Sequence, residues 1–310
     1  MFLDQDERLL LFHHRQGPLS LDVLKGFRDA GIKTIKHAAR QISWHEIEPE
    51  PGEYNWEPVD KCIELSQKAD LKVMLDVYWR APDWVNAKSE WVRTAGTWWI
   101  DPDGIFDASW LAINPFDDQS MDEEEEFLHK ICERYSPDVL CCYAMPHSGE
   151  RILPFFFNPY TEQQCIDVVL RRQKVFAEYY DELWTHFHPW AADPMTEAVD
   201  RSTPTWNGNE HIEAVHDAIQ ETFPEHLLNN FITVFFADAG PFKLPVREQF
   251  KIWTGAQFTV GVVPNSKKID GYGIHGLIMA SSGISPQYQY GEPSTLEFDR
   301  TREAIEILKR

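Results

Sequence analysis

The sequence predicts an α/β fold and, within that class, a (β/α)8 barrel. Three observations point there. Short apolar runs alternate with amphipathic helical stretches over the whole length, the pattern of a parallel sheet covered by helices. The clearest run, DVLCCYAMP at 138–146, is apolar almost without a break, as a strand buried on both faces must be. The first run is followed by HHRQGP at 13–18, which lacks the glycine-rich turn that opens a doubly wound sheet.

In chain order, the apolar run at 10–14 reads as a first strand, and SLDVLKGFRDAGI as a helix closed by Gly31. TIKHAAR, 34–40, is a second strand, and WEPVDKCIELSQKADL an amphipathic helix. KVMLDVYW, 72–79, is a third strand, followed by a long aromatic-rich insertion. A helix is expected over 121–135, opened by the acidic run Asp122 to Phe127 with its carboxylates on a solvated face. Strand 138–146 comes next, and then one long helix from Thr161 through Phe187. Residues 190–209 look irregular. HIEAVHDAIQETF is a helix, 229–238 a strand, LPVREQFKIWTGA a helix and 257–265 a strand. KKIDGYGIHGLIMASSG reads as a helix and SPQYQYGE as a seventh strand, with TLEFDRTREAIEILKR as the last helix. An eighth strand is not evident. Either GYGIHGLIMA is itself a strand, or the barrel is shortened at its C-terminal end. No repeat or low-complexity linker divides the chain, so residues 1–310 are expected to form a single domain.

Composition removes several function classes. Fifty acidic residues against 29 basic ones give a formal net charge of −21. Such a surface repels phosphate backbones and anionic lipid, so nucleic acid and membrane are not expected partners. No apolar run approaches the ~20 residues of a membrane span. The segment MFLDQDERLLLFHHR shows no signal peptide, which makes the cytoplasm the expected location. Five cysteines, an odd number without a CxxC pair, read as reduced and mostly buried thiols. No cofactor or metal is expected. Twelve Trp, many beside Pro, Gly or charge, suit either large core positions or loop rings that stack on sugar faces.

In a barrel the chemistry sits at the C-terminal ends of the strands. The polar residues found there are His13, His14 and Arg15 after the first strand and Arg40 after the second. Asp76, Trp79, Asp83 and Trp84 belong to the third, and His147, Glu150 and Arg151 to the fourth. Asp238, Asn265 and Glu292 follow the remaining runs. Glu150 and Glu292 each follow a Gly, which lets a ligand approach closely. Paired carboxylates are what glycosidic cleavage requires: one protonates the leaving oxygen, and the other attacks the sugar carbon or activates water. Glu150 beside Arg151 and His147 also fits a surface ion pair.

The segment RQISWHEIEPEPGEYNWEPVDKCIELSQKADLKVMLDVYWRAPDWV, Arg40 to Trp84, resembles the clan-A glycoside hydrolases, especially the bacterial β-galactosidase-like families. Their pattern is an Arg ending strand 2, then W-x-x-(I/L)-E-P-x-x-G-x-Y-(D/N)-(F/W), then a helix with an early Asp, a hydrophobic strand and P-x-W. Arg40, Trp44, Ile47, Glu48, Pro49, Gly52, Tyr54, Asn55, Trp56, Asp60, Pro82 and Trp84 match it. The resemblance implies a loop braced by its Pro, Gly and aromatic residues, with Arg40 supporting a nucleophile. It also implies a retaining mechanism, with a Glu after strand 4 as acid/base and a Glu after strand 7 as nucleophile. Glu150 and Glu292 are the residues expected in those places. Where the family carries Asn-Glu this chain has Gly149-Glu150, and HSGERILP is similar to the corresponding stretch of the inverting β-amylases. The family Asn that contacts the sugar 2-hydroxyl is therefore absent, and His147 is the candidate to replace it. The expected carbohydrate contacts are Arg40, Asp76, Trp79, Trp84, His147 and Asn265. Trp91, Trp98 and Trp99 are further groove candidates. Two rival readings are a metal-dependent hydrolase, using His37, His147 and His275, and a non-catalytic barrel that binds a glycan or a partner.

Overall fold

The computed structural model describes residues 9–13, 18–37, 42–77, 81–86, 117–143, 162–187, 209–234, 258–264 and 277–280, with positions 298, 299, 302 and 305. Eight strands run through these residues: β1 Leu9–His13, β2 Thr34–His37, β3 Lys72–Val77, β4 Leu140–Tyr143, β5 Glu182–Phe187, β6 Leu227–Val234, β7 Phe258–Pro264 and β8 Leu277–Ala280. Seven helices accompany them: α1 Leu21–Asp29, α2 Trp44–Ile47, α3 Glu57–Lys68, α4 Asp83–Asn86, α5 Asp118–Tyr135, α6 Glu162–Ala177 and α7 Asn209–Thr222.

The strands form one sheet in the order β4-β3-β2-β1-β8-β7-β6-β5. β1 to β4, the β8–β1 pair and the β5–β6 pair are parallel. β7 is antiparallel to both of its neighbours. Among the described residues no ladder joins β4 to β5.

Local chemistry accounts for the element ends. Ser20 caps α1 by accepting from the Val23 amide, and Asp117 caps α5 by accepting from the Ser120 amide at 2.9 Å. α1 ends at Gly31, whose φ of +109° suits a residue without Cβ. There the Gly31 amide donates to Arg28 O at 2.9 Å and the Ile32 amide to Phe27 O at 3.0 Å. α3 ends with the same pair of bonds, from Asp70 to Gln67 O and from Leu71 to Ser66 O, but with Asp70 at φ +62° in place of glycine.

Three expectations are corrected. First, the stretch read as one helix to Phe187 is α6 followed by β5, so an eighth strand exists and lies where none was sought. No Gly or Pro marks the break. The chain leaves the helix because the Glu178, Tyr179 and Tyr180 amides tighten onto Val175 and Phe176 carbonyls, and the Leu227 amide then takes Asp181 O into the sheet. Second, Leu277–Ala280 is strand β8, the alternative to a helix there. The stretch read as a seventh strand, 285–292, lies outside the described residues. Third, the acidic run lies inside α5 rather than at its start, and it is not wholly solvated. Glu124 is fully buried and holds Arg172 of α6 through two bonds of 2.7 and 3.0 Å. Cys62, Cys132, Cys141 and Cys142 are buried free thiols, as expected. No helix among the described residues is long and apolar enough to cross a membrane.

Candidate functional site

The best-defined part of the candidate site is the chain that leaves β2. Its framework is the carboxylate of Glu48, which is buried. One oxygen accepts from the Trp44 indole N–H at 2.7 Å and the other from the Gly52 amide at 2.8 Å. Gly52 can turn back onto that oxygen because it sits at φ +76°, a conformation costly for any residue with a Cβ. The Tyr54 hydroxyl is pushed up to about 12, first by burial and then by the charge and hydrogen bond of Glu48. The Asn55 amide returns to Ile47 O at 2.7 Å. The Trp44 indole, the Gly52 amide and the Tyr54 hydroxyl thus converge on one buried carboxylate.

Trp84 joins this brace from the far side of β3. Its indole donates to the Glu48 carbonyl at 3.2 Å, and its ring meets Trp44 edge-on at 5.8 Å. Trp44 in turn stacks on Phe127 of α5 at 5.2 Å. The structure therefore gives Trp84 a positioning contact between the loops after β2 and β3, while its ring stays partly exposed.

The two faces of β2 differ in kind. His37 points to the helices, where its Nε2 lies 2.9 Å from Ser66 Oγ on α3. Ser66 Oγ spends its proton on Cys62 O at 2.7 Å, so it accepts from His37 Nε2–H. Burial pulls His37 down to about 3, which keeps the ring neutral. Lys36 therefore points the other way, to the face of the sheet opposite α3. Lys36 is opposite Met74 and Asp76 is opposite Cys142, which places Lys36, Asp76 and Cys142 on that one face. The Lys36 ammonium is ion-paired with Asp76, with exposures of 1% and 0%. The Cys142 thiol lies 3.8 Å from Asp76 Oδ1, and burial together with the Asp76 charge raises it so that it remains a thiol.

Of the site residues named from sequence, Asp76 and Trp84 are thus placed: Asp76 beside Lys36, which the sequence reading overlooked, and Trp84 beside Glu48, which it named as part of the family pattern. The signal for Lys36 was a charged residue inside TIKH, matched by one at equivalent parity in KVMLDV. Two buried neighbouring strands each carrying one opposite charge predict a pair. Arg40, Trp79, His147, Glu150, Asn265 and Glu292 lie outside the described residues. Their strand-end assignments do change. With β5 counted, Glu292 follows β8 in the chain, not a seventh strand. β7 is antiparallel, and its Pro264 is opposite Asn229 near the start of β6. The chain therefore exits toward Asn265 at the end where the neighbouring β6 begins.

Residues 19–92 match the family model described as beta-galactosidase, glycoside hydrolase family 42. The chain resembles the clan-A glycoside hydrolases, and the matched segment contains β2, the Glu48 brace, α3, β3 and Trp84. No curated protein matches the sequence. Among solved structures, the chain is similar to the beta-galactosidase of the psychrophilic Marinomonas ef1 at 12% identity and a TM-score of 0.48, over 68% of this chain and 39% of that one. It is similar to the beta-galactosidase of the Antarctic haloarchaeon Halorubrum lacusprofundi at 15% identity and 0.43, over 70% and 46%. Similarity to the catalytic domain of the beta-amylase from Paenibacillus polymyxa is 11% and 0.46, over 69% and 75%. This chain spans about two fifths of the length of the Marinomonas protein.

Proposed function

We propose that the protein is a glycoside hydrolase that cleaves an O-glycosidic bond of a carbohydrate with Glu150 and Glu292. The observation that carries the reading is the braced unit from β2 to Trp84, which lies within the segment that matches the beta-galactosidase family. A loop held this firmly just after a strand end suits a sugar site, because a rigid floor removes the ordering cost of binding. The cyclic strand order, with seven strands running in one direction, supports closure into a barrel of the (β/α)8 kind once β5 joins β4, with the reversed β7 as a departure from the all-parallel pattern. Location in the cytoplasm is part of the proposal.

In this reading Glu150 donates a proton to the glycosidic oxygen while Glu292 attacks the anomeric carbon, giving a covalent glycosyl-enzyme. Glu150, now a base, activates the water that releases the sugar. Arg40, Asp76, Trp79, Trp84 and His147 surround the sugar, with Asp76 acting through Lys36 and the aromatic rings offering flat apolar faces, whereas Asn265 follows the antiparallel β7 at the opposite end of the sheet and is dropped from the set. A carboxyl separation of about 5 Å would accompany retention, and about 6.5–9.5 Å inversion.

The test is turnover of nitrophenyl glycosides by the wild type and by Glu150→Gln and Glu292→Gln. Loss of about 10²- to 10⁴-fold in kcat is expected for Glu150→Gln with an unchanged circular dichroism spectrum. Undiminished turnover in that variant removes Glu150 from the acid role. A wild type that binds sugars without turning any over leaves the non-catalytic carbohydrate-binding barrel in its place.

A further inference from the structure

We infer that the helical stretch carrying Phe298 and Ile305 is a clasp keyed into α1, which holds β8 against β1 and lets go before the rest of the sheet unfolds. The inference is independent of the glycosidase reading. Three observations carry it.

The first is a glycine inside a helix. Gly26 lies within α1, where glycine weakens a helix relative to alanine. The Phe298 ring accounts for it. A Cβ on Gly26 would stand 2.6 Å from Phe298 Cε2 and 2.8 Å from Cε1, closer than carbon atoms pack. The same ring meets Phe27 edge-on at 4.9 Å. The ring therefore fills the place that a side chain at position 26 would take.

The second is a matching contact further along. A Cβ on Gly31 would stand 2.9 Å from Cδ1 of Ile305, a buried residue. Phe298 and Ile305 are seven positions apart, about two helical turns, so they share one face. Gly26 meets the earlier residue and Gly31 the later one, so the clasp runs in the same direction as α1.

The third is what the clasp holds, and how. Among the described residues β8 meets β7 only through Met279 opposite Phe258 and Ile278 opposite Thr259. On its other side it pairs with β1 from Leu277 opposite Leu9 to Ala280 opposite Phe12. The clasp follows β8 in the chain and sits on the helix that follows β1, so the last unit grips the first twice. Other neighbouring helices are tied by charge: Arg134 of α5 to Asp60 of α3, and Arg172 of α6 to Glu124 of α5. Asp299 pairs instead with Arg302 on its own stretch, and Phe298 is only half-buried. A unit seated by so little buried surface opens locally at a lower cost than the sheet it covers.

The test is hydrogen exchange read by mass spectrometry on the full chain, for the wild type, Gly26→Ala, Phe298→Ala and the two together. Helix propensity alone predicts slower exchange in Gly26→Ala. With the ring in the notch, Gly26→Ala should instead speed exchange on the order of tenfold in peptides covering 277–280 and 298–305, with less than about a twofold change in 72–77. Phe298→Ala should speed exchange in the same two peptides. In the Phe298→Ala chain the notch is empty, so adding Gly26→Ala should slow exchange over 21–29, a reversal of sign that marks direct coupling. If Gly26→Ala slows exchange at 298–305, or leaves it unchanged, in the otherwise wild-type chain, the ring is not keyed into α1 and the inference falls. It falls equally if 72–77 speeds up as much as 298–305, since the clasp would then open only together with the sheet.

Discussion

The two halves of the sheet are assembled by different means. From β1 to β4 each strand pairs in parallel with the one before it, and the carboxylate that braces the loop after β2 takes its bonds from Trp44 and Gly52, each four residues away, with Trp84 and Phe127 packing on from further along the chain. From β5 to β8 the order is reached through an antiparallel β7, and the chain between α6 and β5 turns without Gly or Pro. At the seam between the halves, side chains do what the ladder does elsewhere. Arg172 reaches Glu124, and the Tyr180 hydroxyl donates to Val139 O at 2.9 Å. The first half is therefore specified locally and the second by contacts distant in sequence. The variants below test that division, from the largest expected effect to the smallest.

Breaking the seam should cost most. Arg172→Met leaves the buried Glu124 carboxylate without its guanidinium, at a cost of about 3–5 kcal/mol. Urea unfolding should show the loss, and adding Glu124→Leu should recover most of it. If Arg172→Met unfolds at the wild-type midpoint, the halves are held together by something else.

Next comes the brace. Glu48→Ala removes the acceptor of the Trp44 indole and of the Gly52 amide, and leaves a buried indole N–H without that partner. A loss of about 3 kcal/mol is expected for bonds to a charged group. Trp44 fluorescence should change with it. Hydrogen exchange should speed up between residues 44 and 56 more than in β5 and β6. Uniform acceleration across the molecule would contradict a locally specified first half.

The same division explains what could be read from the sequence. The ends of α1 and α3, the strands β1 to β4 and the shape of the loop after β2 follow from signals within a few residues of each structure. Gly31, the Glu48-Pro49 step and Gly52 are examples. β5 was invisible because Glu182–Phe187 continues the apolar periodicity of α6, and its start is set by the Leu227 amide 46 residues further on. β8 was left between a helix and a strand for a related reason: four residues, Leu277–Ala280, are too few to carry a period of their own. Among the candidate site residues, Asp76 was legible as a charge in a buried strand. Its partner Lys36 was not, because pairing across strands needs a register that the sequence does not state.

The third effect depends on pH and reports on the outward face of β2. His37 is held near 3 in the folded chain against an ordinary value of 6.5, so between those values the unfolded chain binds the extra proton. The stability this contributes is complete above about pH 6.5 and is lost as pH falls toward 3. The slope approaches one proton, or about 1.4 kcal/mol per pH unit. His37→Gln, which keeps a donor near Ser66, should remove that part of the acid slope. An unfolding free energy with the same slope in both proteins between pH 6 and 4 would mean that the ring does not stay neutral in the fold.

The smallest effect should be a gain. α1 and α3 close with the same two backbone bonds, but α1 uses Gly31 and α3 uses Asp70 at φ +62°. A residue with a Cβ is strained in that region, while glycine is not. Asp70→Gly should therefore stabilise the protein by about 0.5–1 kcal/mol, the strain removed less the extra freedom glycine gives the unfolded chain. Both turns lie in the first half, so the gain should appear whether or not the seam is intact, and it should add to the loss in Arg172→Met without coupling. A coupling free energy above about 0.5 kcal/mol between Asp70→Gly and Arg172→Met would show that the end of α3 and the α5–α6 seam respond to one another. In that case local signals would not be enough to specify the first half.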